Sequence, residues 1–349
     1  MATIRYKGVG IKAISACVPK NIVYNKDLDY LIPKEEIEKV INSIGIHERR
    51  IADGHVCASD LACEAARKLM EDNNIDPASI DVLLFVSQTS DYRIPATAPL
   101  LQHRLGLPKE TACLDITLGC SGFVYALSTA YAYASLDGVD RVLLLDGETF
   151  SKIVNRHDKA DWPLYGDGAT ATLVEKRDFG ESVFILKSDG SGEDAVKIKA
   201  GMRIPISEQS FTEHVEADGS RHTDLEVYMD GMDVFNFAMG VVPSSIKEMS
   251  RTVPVPLEDI DYLVFHQANR FMTDFFVKRL KFDPAKVPYC LQKYGNTSST
   301  SIPLTIVSEL QGKLDAPKKV VMAGFGAGLS WATAYMEMKN CRISDITEL

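Results

Sequence analysis

Three residues stand where an apolar run gives way to a turn, and each is of a type able to attack a carbonyl or to hold developing negative charge. Cys120 lies in LDITLGCSGFVYALSTAYAYA, where a strand ends at Gly119 and a helix follows with Phe123, Ala126, Leu127, Ala130, Tyr131 and Ala134 on one stripe. Free N–H groups and the macrodipole at a helix start favour an anion, so the position predicts a thiol pKa lowered toward the nucleophilic thiolate. A buried structural cysteine is the competing reading. His266, in VFHQANRFM, ends a buried-type strand at the point where α/β folds gather their sites, although a lone histidine is often structural. Asn296, in YGNTSSTSIP, follows Gly295 in a turn, and the Ser/Thr run leads into a helix around 299–310. Such an Asn commonly serves a turn or cap, whereas beside a histidine its amide N–H would stabilise an oxyanion.

Two glycine-rich turns accompany these residues. AGFGAGLSWA places Gly324, Gly326 and Gly328 after an apolar strand. The G-x-G-x-x-G order fails and no acidic residue follows at ribose distance, so backbone approach to a substrate carbonyl fits better than a dinucleotide loop. In YGDGATAT, Gly166 and Gly168 read as a turn before a strand.

These residues need a frame, and the alternation of short β-rich runs with helical patterns predicts an α/β protein. The first half reads DVLLFVSQ, a helix near 95–105, ACLDITL, a helix from 120, RVLLLDGE and TATLVE. The second reads IDYLVFHQ, a helix to about 281, KVPYCLQ as a further β-type run, a helix from about 299, KKVVMAGFG and WATAYMEM. The order repeats: IDVLLFVSQT begins at Ile80 and IDYLVFHQAN at Ile260, 180 residues on, and Val142 matches Val320 at a spacing of 178. A duplicated α/β unit follows. Between the halves, 190–225 is polar and reads as a long surface excursion, either a functional lid or a plain solvated insertion.

The 349 residues, 46% of them hydrophobic, suffice for a large core, and a net charge of −10 argues against nucleic-acid binding. Seven cysteines, an odd number without a CxxC pair, fit reduced thiols in a cytoplasm. The N-terminus lacks an apolar signal core and no run approaches the roughly 20 apolar residues of a membrane span, so the chain reads as soluble, untargeted and cytoplasmic.

Taken in order, GCSGF, HQAN, YGNTS and FGAGLSW resemble the ketoacyl-acyl-carrier-protein synthase III branch of the thiolase superfamily. GIHERRIAD at 45–53, the SDLACEAA helix, YGDGATA and MDGMDVFNFA at 229–238 extend the resemblance over nearly the whole chain. It implies the thiolase-like five-layered αβαβα fold with two pseudo-equivalent halves, 1–180 carrying the cysteine and 181–349 carrying His and Asn with an irregular insertion near 190–225. A homodimer is implied as well. Carried over, the nucleophile is Cys120, the catalytic pair is His266 and Asn296, and the oxyanion site is formed by backbone at Cys120 and Ala327, flanked by Gly326 and Gly328. Cys120 would take an acyl group from a thioester. Malonyl-carrier protein would then lose CO₂, with His266 and Asn296 stabilising the enolate, and give a 3-oxoacyl thioester. No metal or separate cofactor is implied, because the substrates carry coenzyme A or phosphopantetheine, and the expected partner is an acyl carrier protein.

Some positions depart from the family. The aromatic residue and arginine that clasp adenine in well-studied members correspond here to Lys39 and Lys159. HQANRFM puts Phe271 in the place of an arginine and Arg270 one residue earlier, a turn of about 100° on a helix. Lys39, Arg49, Arg50, Lys159, Arg270, Lys278, Arg279 and Lys281, with Gln267, Asn269 and Phe271, form the expected substrate or carrier rim, ordinary solvated side chains being the alternative for any one of the charged residues. Ile94 matches a position that floors the acyl pocket across the dimer. Two other functions remain open: specialised acyl chemistry by the same Cys-His-Asn set (transfer to O or N, or quinolone, resorcinol or ketone formation), and an inactive carrier-binding subunit. The intact Cys120, His266 and Asn296 argue against the inactive subunit.

Overall fold

The computed structural model describes residues 2–217 and 219–349. Its first half contains β1 (Ala2–Val18), α1 (Lys34–Ile44), α2 (Ala58–Asn73), β2 (Val82–Val86), α3 (Thr97–Arg104), β3 (Ala112–Ile116), α4 (Gly122–Ala134), β4 (Arg141–Glu148) and the long β5 (Gly168–Ser188). The second contains α5 (Gly231–Thr252), β6 (Tyr262–Phe265), α6 (Arg270–Leu280), α7 (Ser301–Glu309), β7 (Lys318–Gly326) and β8 (Ser330–Met338). The strands join in the order β6-β7-β8-β5-β4-β2-β3, with β1 beside β5.

Two similar sets of pairings lie within that order. β2 runs parallel to β4, which is antiparallel to the first part of β5; β6 runs parallel to β7, which is antiparallel to β8. Val82 opposes Val142 and Tyr262 opposes Val320, so the equivalent pairs keep the sequence offset. β1 and β5 bend from one set to the other: β1 residues 9–17 pair with 169–176 of β5, and residues 2–7 with 181–186, across register shifts.

Buried strands expose neither face, which is why they read as unbroken apolar runs rather than alternating ones. Val82, Leu84 and Val86 face a central core with Phe123, Leu127 and Tyr131 of α4, Ile302 and Ile306 of α7, and Val264, Val320 and Met322 from the second set of strands. Leu83 and Phe85 point the other way, onto Leu61, Ala65 and Leu69 of α2 and Leu101 of α3. On the far side Leu263, Phe265, Val321 and Ala323 meet Val242 and Ile246 of α5 and Phe276 of α6. The resulting layers are α2/α3, strands, α4/α7, strands and α5/α6, the thiolase-like αβαβα order. Each fully buried Leu or Phe in them contributes about 2 kcal/mol.

Three expectations need correction. KVPYCLQ forms no strand: residues 287–290 run without a ladder and Leu291–Tyr294 make one helical turn. Pro288 has no N–H to give a central ladder. TATLVE is only the early part of β5, which is 21 residues long in all and passes through the bend at Gly180. The excursion at 190–225 is not wholly irregular, because Val196–Lys197 pairs with Tyr228–Met229 and His214–Val215 with Arg221–His222.

Candidate active site

Cys120 lies in the turn between β3 and α4, whose first residues are fixed by close backbone packing. A Cβ on Gly122 would stand 2.9 Å from Val86 Cγ1 and 3.4 Å from Ser299 Cβ. A Cβ on Gly326, at the end of β7, would stand 2.7 Å from Cys120 Cβ and 3.0 Å from Sγ. Only glycine lets that backbone lie over the thiol. Ser121 is tied to the start of β8 through a 2.7 Å hydroxyl bond to Ser330.

Asn296 is brought to the same place by a different close approach. Gly166 lies against the Tyr294 carbonyl, where a Cβ would clash, and this lets Tyr165 form a bridge with Asn296. The Asn296 N–H donates to Leu164 O at 2.8 Å and its carbonyl accepts from Gly166 N–H at 3.1 Å. Its Oδ1 accepts the Ser298 N–H at 2.9 Å, so the side chain does serve the turn while its NH₂ group is left to donate. Ser298 has φ of 52°, a left-handed conformation uncommon for a residue with a Cβ. Its Oγ lies 3.8 Å from Cys120 Sγ.

His266 follows β6 directly and is buried against the edge of Phe325, ring centroids 5.2 Å apart. Its Nδ1 is 2.7 Å from Ser301 Oγ at the head of α7. The one Ser301 hydroxyl proton goes either to Ser298 O, 2.8 Å away, in which case Nδ1 carries a proton and donates to Oγ, or to Nδ1. When the hydroxyl donates to Nδ1, the histidine keeps its proton on Nε2, the tautomer able to donate to a substrate oxygen.

Cys120, His266, Asn296, Gly326 and Ala327 share the wall of one cavity of about 310 Å³, with Phe150, Leu164, Tyr165, Val227, Phe235 and Met272 supplying apolar surface. Gly328 stands one residue beyond that wall, at φ 132°. The ionisation state differs from the one expected at a helix start. Although Cys120 is only partly covered, burial pushes its thiol up to about 12 against the pull of the Ser298 hydroxyl, and Glu148 and Asp146 add to the rise. Desolvation outweighs the helix terminus here. Burial likewise pushes His266 down to about 3, so a neutral thiol faces a neutral imidazole.

The strand that ends beside the site also carries Asp146 and Glu148, both fully buried and both bonded to Ser299. Neither these nor Ser298 and Ser301 stood out in the sequence. Two carboxylates closing an otherwise apolar strand, LLLDGE, were the available signal.

The expected rim is only partly assembled. Arg49 is fully buried, donating to Asn25 Oδ1, Trp162 O and Tyr165 O and lying over the Trp162 ring. It is therefore an anchor of the 162–165 segment and not a surface cation. Gln267 is also buried, its Nε2 donating to Phe265 O, which removes it from the rim. Asn269 lines the cavity and caps α6 by accepting the Met272 N–H at 2.9 Å. Arg270 turns away to Asp274 and the Tyr289 ring, as the one-residue displacement predicts. Phe271 is exposed and stacks on Phe235. Lys159 is exposed between the wall residues Asp158 and Ala160, Lys39 is exposed on α1, and Ile94 is 89% exposed. Among the described residues no cluster of His, Cys, Asp and Glu is arranged to hold a metal, and no helix is long and apolar enough to cross a membrane.

Two family models match the chain: 3-oxoacyl-[acyl-carrier-protein] synthase III over residues 114–190, and its C-terminal counterpart over residues 252–338. A beta-ketoacyl-[acyl-carrier-protein] synthase III of Caldanaerobacter subterraneus is 35% identical over 332 residues, covering 94% of this chain and 97% of that protein. The crystal structure of a 3-oxoacyl-(acyl-carrier protein) synthase from Burkholderia xenovorans matches with a TM-score of 0.94 at 34% identity, covering 100% of this chain and 99% of that one. The priming beta-ketosynthase of the R1128 polyketide pathway matches with a TM-score of 0.82 at 26% identity, over 96% and 97% of the two chains.

Proposed function

The chain belongs to the 3-oxoacyl-[acyl-carrier-protein] synthase III family, and we propose that it condenses an acyl group held on Cys120 with malonyl-carrier protein. The observation that carries this reading is the convergence of Cys120, His266 and Asn296, from three separate segments, on one cavity. In the first half-reaction the thiol adds to the donor thioester, its proton leaves with the departing thiol, and backbone N–H groups at Cys120 and Ala327 hold the oxyanion. In the second, malonyl thioester loses CO₂ while His266 and Asn296 hydrogen-bond the enolate oxygen. The enolate carbon attacks acyl-Cys120, and the cysteine leaves and regains a proton. The substrates bring their own phosphopantetheine, so the reaction calls for no cofactor or metal. A homodimer in the cytoplasm is the expected working form.

A second reading, a specialised relative that uses the same three residues, is favoured by the match to the polyketide priming synthase. One assay separates them: acyl-CoA and acyl-carrier donors are offered with malonyl-carrier protein, and CO₂ release and intact mass are followed. Cys120→Ser should lose acylation. His266→Ala and Asn296→Ala should lose decarboxylation by about 10²-fold or more while retaining acylation in part. A wild-type protein that acylates without ever releasing CO₂ would sink the condensing reading in favour of acyl transfer.

A further inference from the structure

Asp146 and Glu148 stand two residues apart on β4, fully buried and unused by the reaction above. A buried carboxylate costs free energy unless donors meet it. Glu148 is met on both oxygens: Oε1 accepts the Gln88 N–H at 3.1 Å and the Ser299 hydroxyl at 3.2 Å, and Oε2 accepts the Gln88 N–H at 3.3 Å and the Thr89 hydroxyl at 2.7 Å. The single Ser299 hydroxyl proton is shared with Asp146 Oδ1, which lies closer, at 2.6 Å, and Asp146 Oδ2 has no partner among the described residues. The donors come from two segments that flank the thiol. Gln88 packs against Gly119, whose Cβ would meet its Cδ at 3.0 Å, and Ser299 follows Ser298, which touches Cys120 Sγ.

We propose that Glu148 is a positioning residue for Cys120, its carboxylate clamping Gln88–Thr89 and Ser299 around the thiol and setting a negative charge near it. The inference rests on Cys120 being the nucleophile. The titratable groups acting on Glu148 and Cys120 are Asp146 on the same strand, whose carboxyl burial pushes well up, and Asp167 just before β5, which Lys152 pulls down against burial. Burial pushes Glu148 up to about 7, against the pull of Thr89, Gln88 and Ser299. The clamp therefore gains its charge as pH rises through about 7. Glutamine replaces it poorly, because its NH₂ group gives up one of the two acceptors that Gln88, Thr89 and Ser299 share, and it carries no charge.

The test follows iodoacetamide alkylation of Cys120 by peptide mass, in wild type, E148Q and E148D, beside acyl-Cys120 formation from acyl thioesters. With Glu148 protonated, near pH 6, E148Q and wild type should alkylate at similar rates. Near pH 9, where wild type carries the charge, E148Q should alkylate about threefold faster or more. Its acylation should fall about tenfold with KM unchanged, and E148D should restore the alkylation ratio toward one. A ratio that stays flat from pH 6 to 9, or an E148Q acylation rate within about twofold of wild type, overturns the proposal. Should E148Q not fold, Ser299→Ala is read instead: a several-fold loss of acylation supports the clamp, and a rate within about twofold of wild type overturns it. Wild type that never forms acyl-Cys120, with the pH-dependent ratio intact, would remove the condensing reading and leave the clamp standing. Normal acylation with a flat ratio would remove the clamp alone.

Discussion

The ionisation of His266 and its contact with Ser301 decide what the imidazole can do. The folded value of about 3 lies below the ordinary value of 6.5, so the unfolded chain binds this proton first. Stability from this group is therefore complete above about pH 6.5 and is lost progressively as pH falls toward about 3. Between pH 7 and 5 we expect a loss of about 2 kcal/mol that His266→Gln removes, checked by urea unfolding of both proteins at each pH. An acid limb of the same size in the variant would contradict this. The Ser301 hydroxyl sets which ring nitrogen carries the proton. Ser301→Ala should slow CO₂ release about tenfold while sparing acylation, and equal loss of both half-reactions would mean the serine serves the fold alone. At this scale the sequence made the residue types and their positions at strand ends legible, but not their charge. Cys120 does stand ahead of a helix, yet burial, with the Gly326 backbone from far along the chain lying over the thiol, reverses the expected direction.

Glycines let separate elements approach closely enough to build the site, and each such approach makes a prediction. Gly326→Ala would place a methyl 3.0 Å from Cys120 Sγ at the end of a buried strand. We expect acylation to fall at least tenfold with the fold retained, measured by intact mass and thermal unfolding; unimpaired acylation would show that β7 yields there. Gly166→Ala drives a Cβ into the Tyr294 carbonyl, a backbone atom that cannot rotate aside. Its cost should appear in stability, about 3 kcal/mol in urea unfolding, because the Tyr165–Asn296 bridge must separate. The paired strands were legible because burial on both faces leaves continuous apolar runs. KVPYCLQ misled because Val287 and Cys290 are buried in an irregular segment that turns helical only at Leu291, and Pro288 withholds a donor, a difference that hydrophobicity alone does not carry. Glu148 escaped notice for a related reason: an acid at a strand end reads as the start of a loop, and only the folded chain brings Gln88, Thr89 and Ser299 to it.

At the scale of the molecule, the repeated strand pairings put β3 at an open edge, bonded only to β2 among the described residues. An exposed strand with free backbone groups is a surface that proteins cover or guard. Here Leu114 on that edge is 42% exposed, and the nearby segment carries Tyr92 and Ile94, both exposed, with Arg93 donating to Gly201 O of the 190–225 excursion. The excursion's own pairing was not legible in its sequence, because strands of two residues leave no periodic pattern. Its role as cavity wall, through Val196, Ser220 and His222, depends on contacts far along the chain. We predict that a second copy covers the β3 edge and that Ile94 then approaches the partner's acyl site. Sedimentation should give a dimer for wild type and monomer for Leu114→Lys, since a buried unpaired ammonium at the edge opposes association. Ile94→Ala should remain dimeric but accept longer acyl donors, read from the mass of acyl-Cys120 across a chain-length series. A fully active wild-type monomer, or an Ile94→Ala dimer with unchanged acyl preference, would separate the edge strand from the chemistry at Cys120.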